Sequence, residues 1–249
     1  MAVVNIGGVS NVTWLGANSQ HPKNAAQQFA ALTAFDTGPG GAQLDDWVRR
    51  YTQQLPTEHP HAGLNFDQDG CFSKEGNALE WFVETVLDRP FYAQPAPKSL
   101  DRQDAFVALP DGTSLEDGAH TLAAITAATI AAARHHFPEP VEAYFVCGGG
   151  RHNPTLMRLL RERCDAPVFD LAVLASGVAG TPGLTDAISE QDMSAQGDCL
   201  QALLNGDMVE ARLMAYLAVR SVRGLPLSWP TTTGCHTPSS GGVLCLPAQ

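Results

Sequence analysis

The sequence predicts an α/β fold in which a mixed β-sheet is flanked by helices. Three observations predict it: a strand, glycine turn and second strand over residues 2–16; several longer segments with apolar residues at helical spacing; and an apolar strand over residues 141–147 that passes through three glycines into a helix. At 249 residues with 44% hydrophobic content, the chain can fill the core of one large domain or two small ones. Its 26 acidic against 15 basic residues give a formal net charge of −11. That balance disfavours the phosphate attraction behind most nucleic-acid affinity, so no DNA or RNA partner is expected. A small phosphorylated ligand stays compatible, because backbone N–H groups hold phosphate without a basic surface. The cysteines (Cys71, Cys147, Cys164, Cys199, Cys235 and Cys245) are scattered with neither a Cys-x-x-Cys pair nor zinc spacing, which fits reduced thiols. No secretory signal is visible, and no run reaches the roughly 18 to 20 apolar residues of a membrane span, so a cytoplasmic protein with no membrane partner is expected.

The elements follow in order. Val3, Val4 and Ile6 precede Gly7-Gly8, and Val9, Val12, Trp14 and Leu15 follow it, as in a hairpin. Residues 31–35 read as a short strand that stops at Asp36, and a helix runs from near Gly41 to about Gln54 on a face of Leu44, Trp47, Val48 and Tyr51. Residues 75–87 form a second helix through Leu79, Phe82, Val83, Val86 and Leu87, closed by Pro90. Residues 121–137 are the clearest helix, Ala-rich with a stripe of Leu122, Ile125, Ile130 and Ala133. The strand at 141–147, the turn Gly148-Gly149-Gly150 and the helix Pro154–Arg163 make a ligand-binding geometry of open α/β sheets. From about 171 to 205 polar residues interrupt every apolar run, an irregular insertion with one helical turn near 199–204. Residues 208–223 return to a helix through Val209, Leu213, Tyr216, Leu217 and Val219, and the tail ends in a short strand near 243–246.

Several motifs invite chemistry. In Asn5-Ile6-Gly7-Gly8-Val9-Ser10-Asn11, paired glycines between strands let backbone amides approach an anion, although an ordinary tight hairpin has the same sequence. Asp36-Thr37-Gly38-Pro39-Gly40 puts a carboxylate at a strand end, where it is either a general base or the cap of a turn. Gly148-Gly149-Gly150-Arg151-His152-Asn153 opens a helix whose N-terminus suits an anion or a flat ligand, or is simply a structural turn; it lacks both dinucleotide-fold and P-loop spacing. Asn65 to Gly70 imitates half a calcium loop, but Gly76 occupies the position of its final glutamate, so a solvated turn is expected. His59, His61, His135 and His136 read as surface residues. No Gly-x-Ser-x-Gly elbow supports a hydrolase.

Taken in order, these segments resemble the anhydro-N-acetylmuramic acid kinases, members of the actin/hexokinase-like ATPase superfamily. The match runs from Asn5 to Thr13, through Phe35 to Gly40 with Asp45 and Trp47, then Pro97-Lys98-Ser99-Leu100-Asp101-Arg102 and Leu115-Glu116-Asp117-Gly118. It continues with Val146 to Arg151, Asn153-Pro154, Glu210-Ala211, Ala215 to Arg220, Leu225-Pro226 and Thr232-Thr233-Gly234.

The resemblance implies a ribonuclease H-like (actin-like ATPase) lobe and a kinase of peptidoglycan recycling. Such an enzyme uses ATP and Mg²⁺ to open 1,6-anhydro-N-acetylmuramic acid and phosphorylate its O6. It implies Asp36 as the catalytic base that activates water, and Asn5, Gly7, Gly8, Asn11, Gly38, Gly40, Gly148, Gly149, Gly150 and Asn153 on the nucleotide and phosphate side. Thr37, Lys98, Arg102 and Glu210 are further candidates; a surface salt-bridge cluster is an equal reading of Lys98, Ser99 and Arg102. Family members carry an upstream Gly-Thr-Ser-x-Asp-Gly loop, so residues 1–249 are expected to be a single C-terminal lobe without its N-terminal lobe. Gly41 stands where the family has Asn, Lys74 where a small residue is usual, and Arg212 where Gln is usual. Three accounts follow: a kinase whose missing lobe is supplied by a separately encoded chain or lies outside this sequence; an inert remnant that binds nucleotide or sugar; or a truncated product without activity. The resemblance also implies a possible homodimer. Little turnover is expected of the chain alone.

Overall fold

The structure is a computed structural model that describes residues 1–16, 31–176 and 205–245. Its centre is a mixed sheet of five strands: β1 (Ala2–Ile6), β2 (Val9–Leu15), β3 (Leu32–Pro39), β4 (Tyr144–Cys147) and β5 (Val168–Asp170), in the order β3-β2-β1-β4-β5. The pairs β1/β2 and β2/β3 are antiparallel, whereas β1/β4 and β4/β5 are parallel. The parallel return from β3 to β4 is long and carries α1 (Ala42–Thr52), α2 (Glu80–Leu87), the single turn α3 (Pro90–Ala93) and α4 (Leu115–Ala132). Helix α5 (Pro154–Arg163) joins β4 to β5, and α6 (Val209–Val222) and the short α7 (Pro230–Thr233) follow.

One face of the sheet is the core. Strand alternation sends Ala2, Val4, Ile6, Val12, Trp14, Phe35, Tyr144 and Val146 to that face, where they pack with α1, α4 and α5. Helix α4 shows no single apolar stripe, since nearly every residue from Gly118 to Ala131 is buried. It lies between the sheet and three other helices, and its alanines allow that close approach. Its threonines stay satisfied: Thr126 Oγ1 donates to Leu122 O at 3.1 Å and Gly40 O at 3.3 Å, and Thr121 Oγ1 accepts from the Leu79 N–H at 3.1 Å. Ser114 caps the helix by accepting from the Asp117 N–H at 3.1 Å, so it starts six residues before the predicted 121.

The opposite face is divided. Over β4 and β5 it carries a small apolar cluster of Ala143, Phe145, Cys147 and Leu171 with Val3, Phe169 and Val209. Over β1 to β3 it is half-exposed and mixed, and the register sets Asp36, Asn11, Asn5 and Cys147 in one cross-strand row.

Several expectations need correction. β3 does not stop at Asp36 but continues to Pro39, because a bulge between Ser10 and Asn11 absorbs an extra residue on the β3 side. Helix α2 begins at Glu80 and not at 75, residues 75–79 running from the end of a turn through irregular chain. Residues 241–245 form no strand; among the described residues the tail's β pairing is one bridge between Ser228 and Ser239, and α7 packs on β3. Helix α6 forms as predicted, but none of its residues is buried, and Leu213, Met214, Tyr216, Val219 and Val222 are exposed. The predicted turn near 199–204 lies outside the described residues. No described helix is long and apolar enough to cross a membrane.

The burial pattern predicts that Ile125→Ala, inside α4, costs about 2–5 kcal/mol by urea denaturation, whereas Leu213→Ala on α6 changes stability by less than about 0.5 kcal/mol. Comparable losses from both would contradict it.

Candidate functional site

The Gly7-Gly8 turn is held from the side by the chain leaving β3. The Gly40 N–H donates to Gly8 O at 3.0 Å and the Gly41 N–H to Gly7 O at 2.7 Å. A Cβ on Gly40 would collide with the Gly7 carbonyl oxygen, so this approach requires glycine there. Both carbonyls of the turn are thus spent, while among the described residues the Gly7 and Gly8 N–H groups make no hydrogen bond. A second glycine constraint sits across the sheet. Gly148 has φ +80°, and a Cβ there would meet the Ile6 carbonyl oxygen at 2.7 Å and collide with Asn5 Oδ1. The third glycine segment is therefore seated on the end of β1.

Between these segments lies a cavity of about 690 Å³, within the size range of small-molecule sites. Its walls are Gly7, Gly8, Gly41, the first turn of α1 including Asp45, the loop Phe66 to Asp69, and Gly149, Gly150, His152 and Asn153. The predicted residues Gly7, Gly8, Gly149, Gly150 and Asn153 thus meet on one cavity. Asn153 is a wall rather than a free donor. Its Oδ1 caps α5, accepting from the N–H groups of Thr155 at 3.0 Å and Leu156 at 3.1 Å, and its Nδ2 donates to Asp67 Oδ2 at 2.9 Å.

The calcium-like loop is largely the solvated turn expected, with Asn65, Phe66, Gln68 and Asp69 exposed, but Asp67 departs from it. The carboxylate is buried and accepts from Phe72 N–H at 2.8 Å, Ser73 N–H at 3.4 Å, Ser73 Oγ at 2.5 Å and Asn153 Nδ2. Four hydrogen bonds compensate its desolvation and pin the loop to α5. Arg151, beside the glycines, is likewise engaged, by both oxygens of Asp207 at 2.7 and 3.0 Å. A ligand phosphate here would meet backbone amides, not a free Arg151.

The remaining candidates lie off this cavity's walls. Asn5, Asn11 and Asp36 belong to the polar row on the open face. Asp36 is half-buried, and the Leu100 N–H donates to its Oδ2 at 2.7 Å. Desolvation raises its pKa above the usual carboxylate value, and the Leu100 hydrogen bond partly offsets this. Thr37 turns inward, its Oγ1 2.7 Å from Ser10 Oγ, and Gly38 faces Thr129 of α4. Arg102 is exposed and pairs with Asp46 at 2.6 Å; Lys98, in contrast, forms no salt bridge among the described residues, so the alternative of an ionic cluster applies to Arg102 alone. Glu210 sits exposed in the first turn of α6. His136 is not the surface residue expected: it is half-buried, packs edge-on against Phe35 at 5.5 Å, and burial lowers its pKa.

Asp45, which the family-like segments include without a site role, lines the cavity. Burial, first, and the nearby Asp46 and Asp67 push its pKa up to about 6, against the pull of Arg49 and Arg102. The available signal was its place in the first turn of a helix that follows a glycine run. Gly41 leaves room for the family's asparagine, since a Cβ there would make only ordinary contact, 3.7 Å from Gly7 O.

Residues 1–176 match the family model described as anhydro-N-acetylmuramic acid kinase. The chain is 41% identical over 245 residues to the anhydro-N-acetylmuramic acid kinase of Rhodospirillum rubrum, covering 98% of this chain and 52% of that one. It is 37% identical over 247 residues to that of Rhizorhabdus wittichii (99% and 54%) and 38% identical over 250 residues to that of Acidiphilium cryptum (99% and 56%). The chain therefore spans about half the length of the curated relatives it matches. Among solved structures it is similar to a ligand-bound xylulose kinase from Lactobacillus acidophilus, with 13% identity, a TM-score of 0.38, and 89% of this chain and 47% of that chain covered.

The raised pKa of Asp45 carries a signed prediction. A carboxylate whose folded pKa lies near 6 contributes its stability below its unfolded pKa of 3.8 and loses it as pH rises through 6. Asp45→Asn is expected to stabilise the chain at neutral pH by about 1 kcal/mol, after discounting for solvent screening, and to have less effect as pH falls toward about 4. Urea denaturation across that range checks it; a gain independent of pH would contradict it.

Proposed function

We propose that this chain, which belongs to the anhydro-N-acetylmuramic acid kinase family, is the nucleotide- and sugar-binding lobe of an ATP-dependent phosphotransferase acting on 1,6-anhydro-N-acetylmuramic acid. The observation that carries this reading is the convergence of the Gly7-Gly8 turn, the start of α1 and Gly149-Gly150 on one cavity, next to a polar row that ends at Asp36. The sheet order β3-β2-β1-β4-β5, antiparallel at one end and parallel at the other, supports a ribonuclease H-like, actin-like ATPase lobe.

In this reading the Gly7 and Gly8 N–H groups hold phosphate oxygens, and the segment from Gly148 to Gly150 lets the nucleoside lie close to the end of β1. Mg-ATP supplies the phosphoryl group and screens its charge. Asp67 is spent on four hydrogen bonds, so Asp45 and Asp69 are the cavity carboxylates available to the water shell of a magnesium ion. Asp36 acts as general base: it takes a proton from water as the water oxygen bonds to the anomeric carbon, the bond from that carbon to O6 breaks, and O6 receives the γ-phosphoryl group. The products are N-acetylmuramic acid 6-phosphate and ADP. Oδ2 of Asp36 is held by Leu100, which directs Oδ1 toward the water, and the raised pKa makes the carboxylate a stronger base than an exposed one. In this reading Asn11 and Asn5, next in the row and off the cavity walls, hydrogen-bond the sugar instead of the phosphates that the resemblance implies; the shared row with Asp36 supports this. Most of the catalytic effect is positioning and charge stabilisation, as phosphoryl transfer requires.

With Mg-ATP and 1,6-anhydro-N-acetylmuramic acid, this chain alone is expected to turn over little, and the 6-phosphate is expected once a lobe carrying the Gly-Thr-Ser-x-Asp-Gly loop is added; robust product from the chain alone would contradict this. Asp36→Asn is expected to lower turnover by at least about 100-fold while leaving the affinity for a non-hydrolysable ATP analogue unchanged by calorimetry. Full turnover in that variant would refute the role of base. No heat at millimolar analogue would refute the nucleotide reading.

A further inference from the structure

Lys98 offers a cation close to Asp36, and its surroundings show what it does. The ammonium donates to Phe91 O and Tyr92 O, each at 3.1 Å, and lies 3.1 Å from His136 Nε2. An ammonium has three donors, and two of them meet these carbonyls. His136 Nε2 is also 2.9 Å from Tyr92 O, so the ring N–H donates to the same carbonyl and shares it with the ammonium. The charge also rests 4.8 Å from the Phe91 ring centroid and 5.7 Å from that of Phe35. The free space beside it is about 10 Å³, room for no more than a water.

That space is lined by Phe35 and Thr37, on the helix-covered face of β3, while alternation puts Asp36 on the open face. The Lys98 side chain therefore stands across the strand from the substrate side, beside a space too small for a phosphate. Its backbone, however, grips Asp36 directly. The Asp36 N–H donates to Lys98 O at 2.9 Å, and two residues on the Leu100 N–H donates to Asp36 Oδ2 at 2.7 Å. The same short segment thus fixes both the main chain and the carboxylate of Asp36, and the Lys98 ammonium is its anchor to α3 and to the turn Ala133–His136 after α4.

We propose that Lys98 is a positioning residue for Asp36: by tying residues 98–100 to Phe91, Tyr92 and His136, it holds the Leu100 N–H on the carboxylate and so fixes its orientation and basicity. The catalytic consequence rests on the reading of Asp36 as base; the tether itself does not.

Lys98→Met keeps the stem against the two phenylalanine rings and removes the anchor. In a variant that still unfolds cooperatively, hydrogen exchange should show protection of the Leu100 amide falling at least about tenfold. In the same variant, a ¹³C-carboxylate titration should show the Asp36 midpoint moving up as its hydrogen bond is lost. A purely structural lysine would lower the melting temperature without moving that midpoint. Wild-type protection and an unchanged midpoint in the folded variant would overturn the proposal. Should Lys98→Met not fold, His136→Phe removes the ring N–H that holds Tyr92 O beside the ammonium while keeping a ring on Phe35, and the same two shifts, smaller, are expected; their absence would overturn it equally. Neither readout needs turnover. An Asp36→Asn variant of full activity would therefore remove the role of base while the exchange and titration results judged the tether independently.

Discussion

The contact between the Gly40-Gly41 segment and the Gly7-Gly8 turn is the constraint on which the site depends. Two backbone hydrogen bonds at 3.0 and 2.7 Å close it, and the Thr126 hydroxyl of α4 reaches the Gly40 carbonyl from behind. Because Gly40 directly precedes α1, this contact fixes where that helix starts and so where Asp45 stands. Because the turn's carbonyls are consumed, its N–H groups are the polarity left to face the cavity. Hairpin, helix and helical core are thus joined through a few backbone atoms that tolerate no Cβ at Gly40.

The sheet then separates two kinds of work. Its helix-covered face holds the stability: α4 is buried almost all round, and the side chains of β1 to β4 on that face pack with it. Its open face keeps Asn5, Asn11 and Asp36 half-solvated in one row, where a carboxylate can be raised in pKa without being neutralised by a salt bridge. Asp36 belongs to the second face but is controlled from the first, through the segment that Lys98 anchors. Rigid packing on one side thereby sets the orientation of a reactive group on the other.

The parts of this arrangement that are local in sequence were legible. Glycine pairs between β-branched residues mark the hairpin, and Asn153-Pro154 marks the start of α5, where the side chain caps as its residue type suggests. What could not be read depends on tertiary contact. The continuation of β3 past Asp36 follows from a bulge opposite it in β2, which no pattern within residues 31–40 contains. Asp67 looked like a solvated loop residue because its partners Phe72, Ser73 and Asn153 are brought to it only by folding. His136 looked exposed for the same reason, and Lys98 ionic, when its partners are carbonyls and an imidazole. The apolar pattern of α6 predicts its helix correctly and says nothing of burial, which it lacks here. Asp45 was visible as a residue but not as part of the site, because its significance comes from the glycines opposite it.

The central claim is that the glycine segments and the start of α1 form one nucleotide cavity. The most direct measurement is a ¹H–¹⁵N titration of the protein with a non-hydrolysable ATP analogue and magnesium. The account predicts saturable shifts centred on the amides of Gly7, Gly8, Asp45, Gly149 and Gly150. Saturable binding whose shifts fall elsewhere, or no shifts at millimolar analogue, would contradict it.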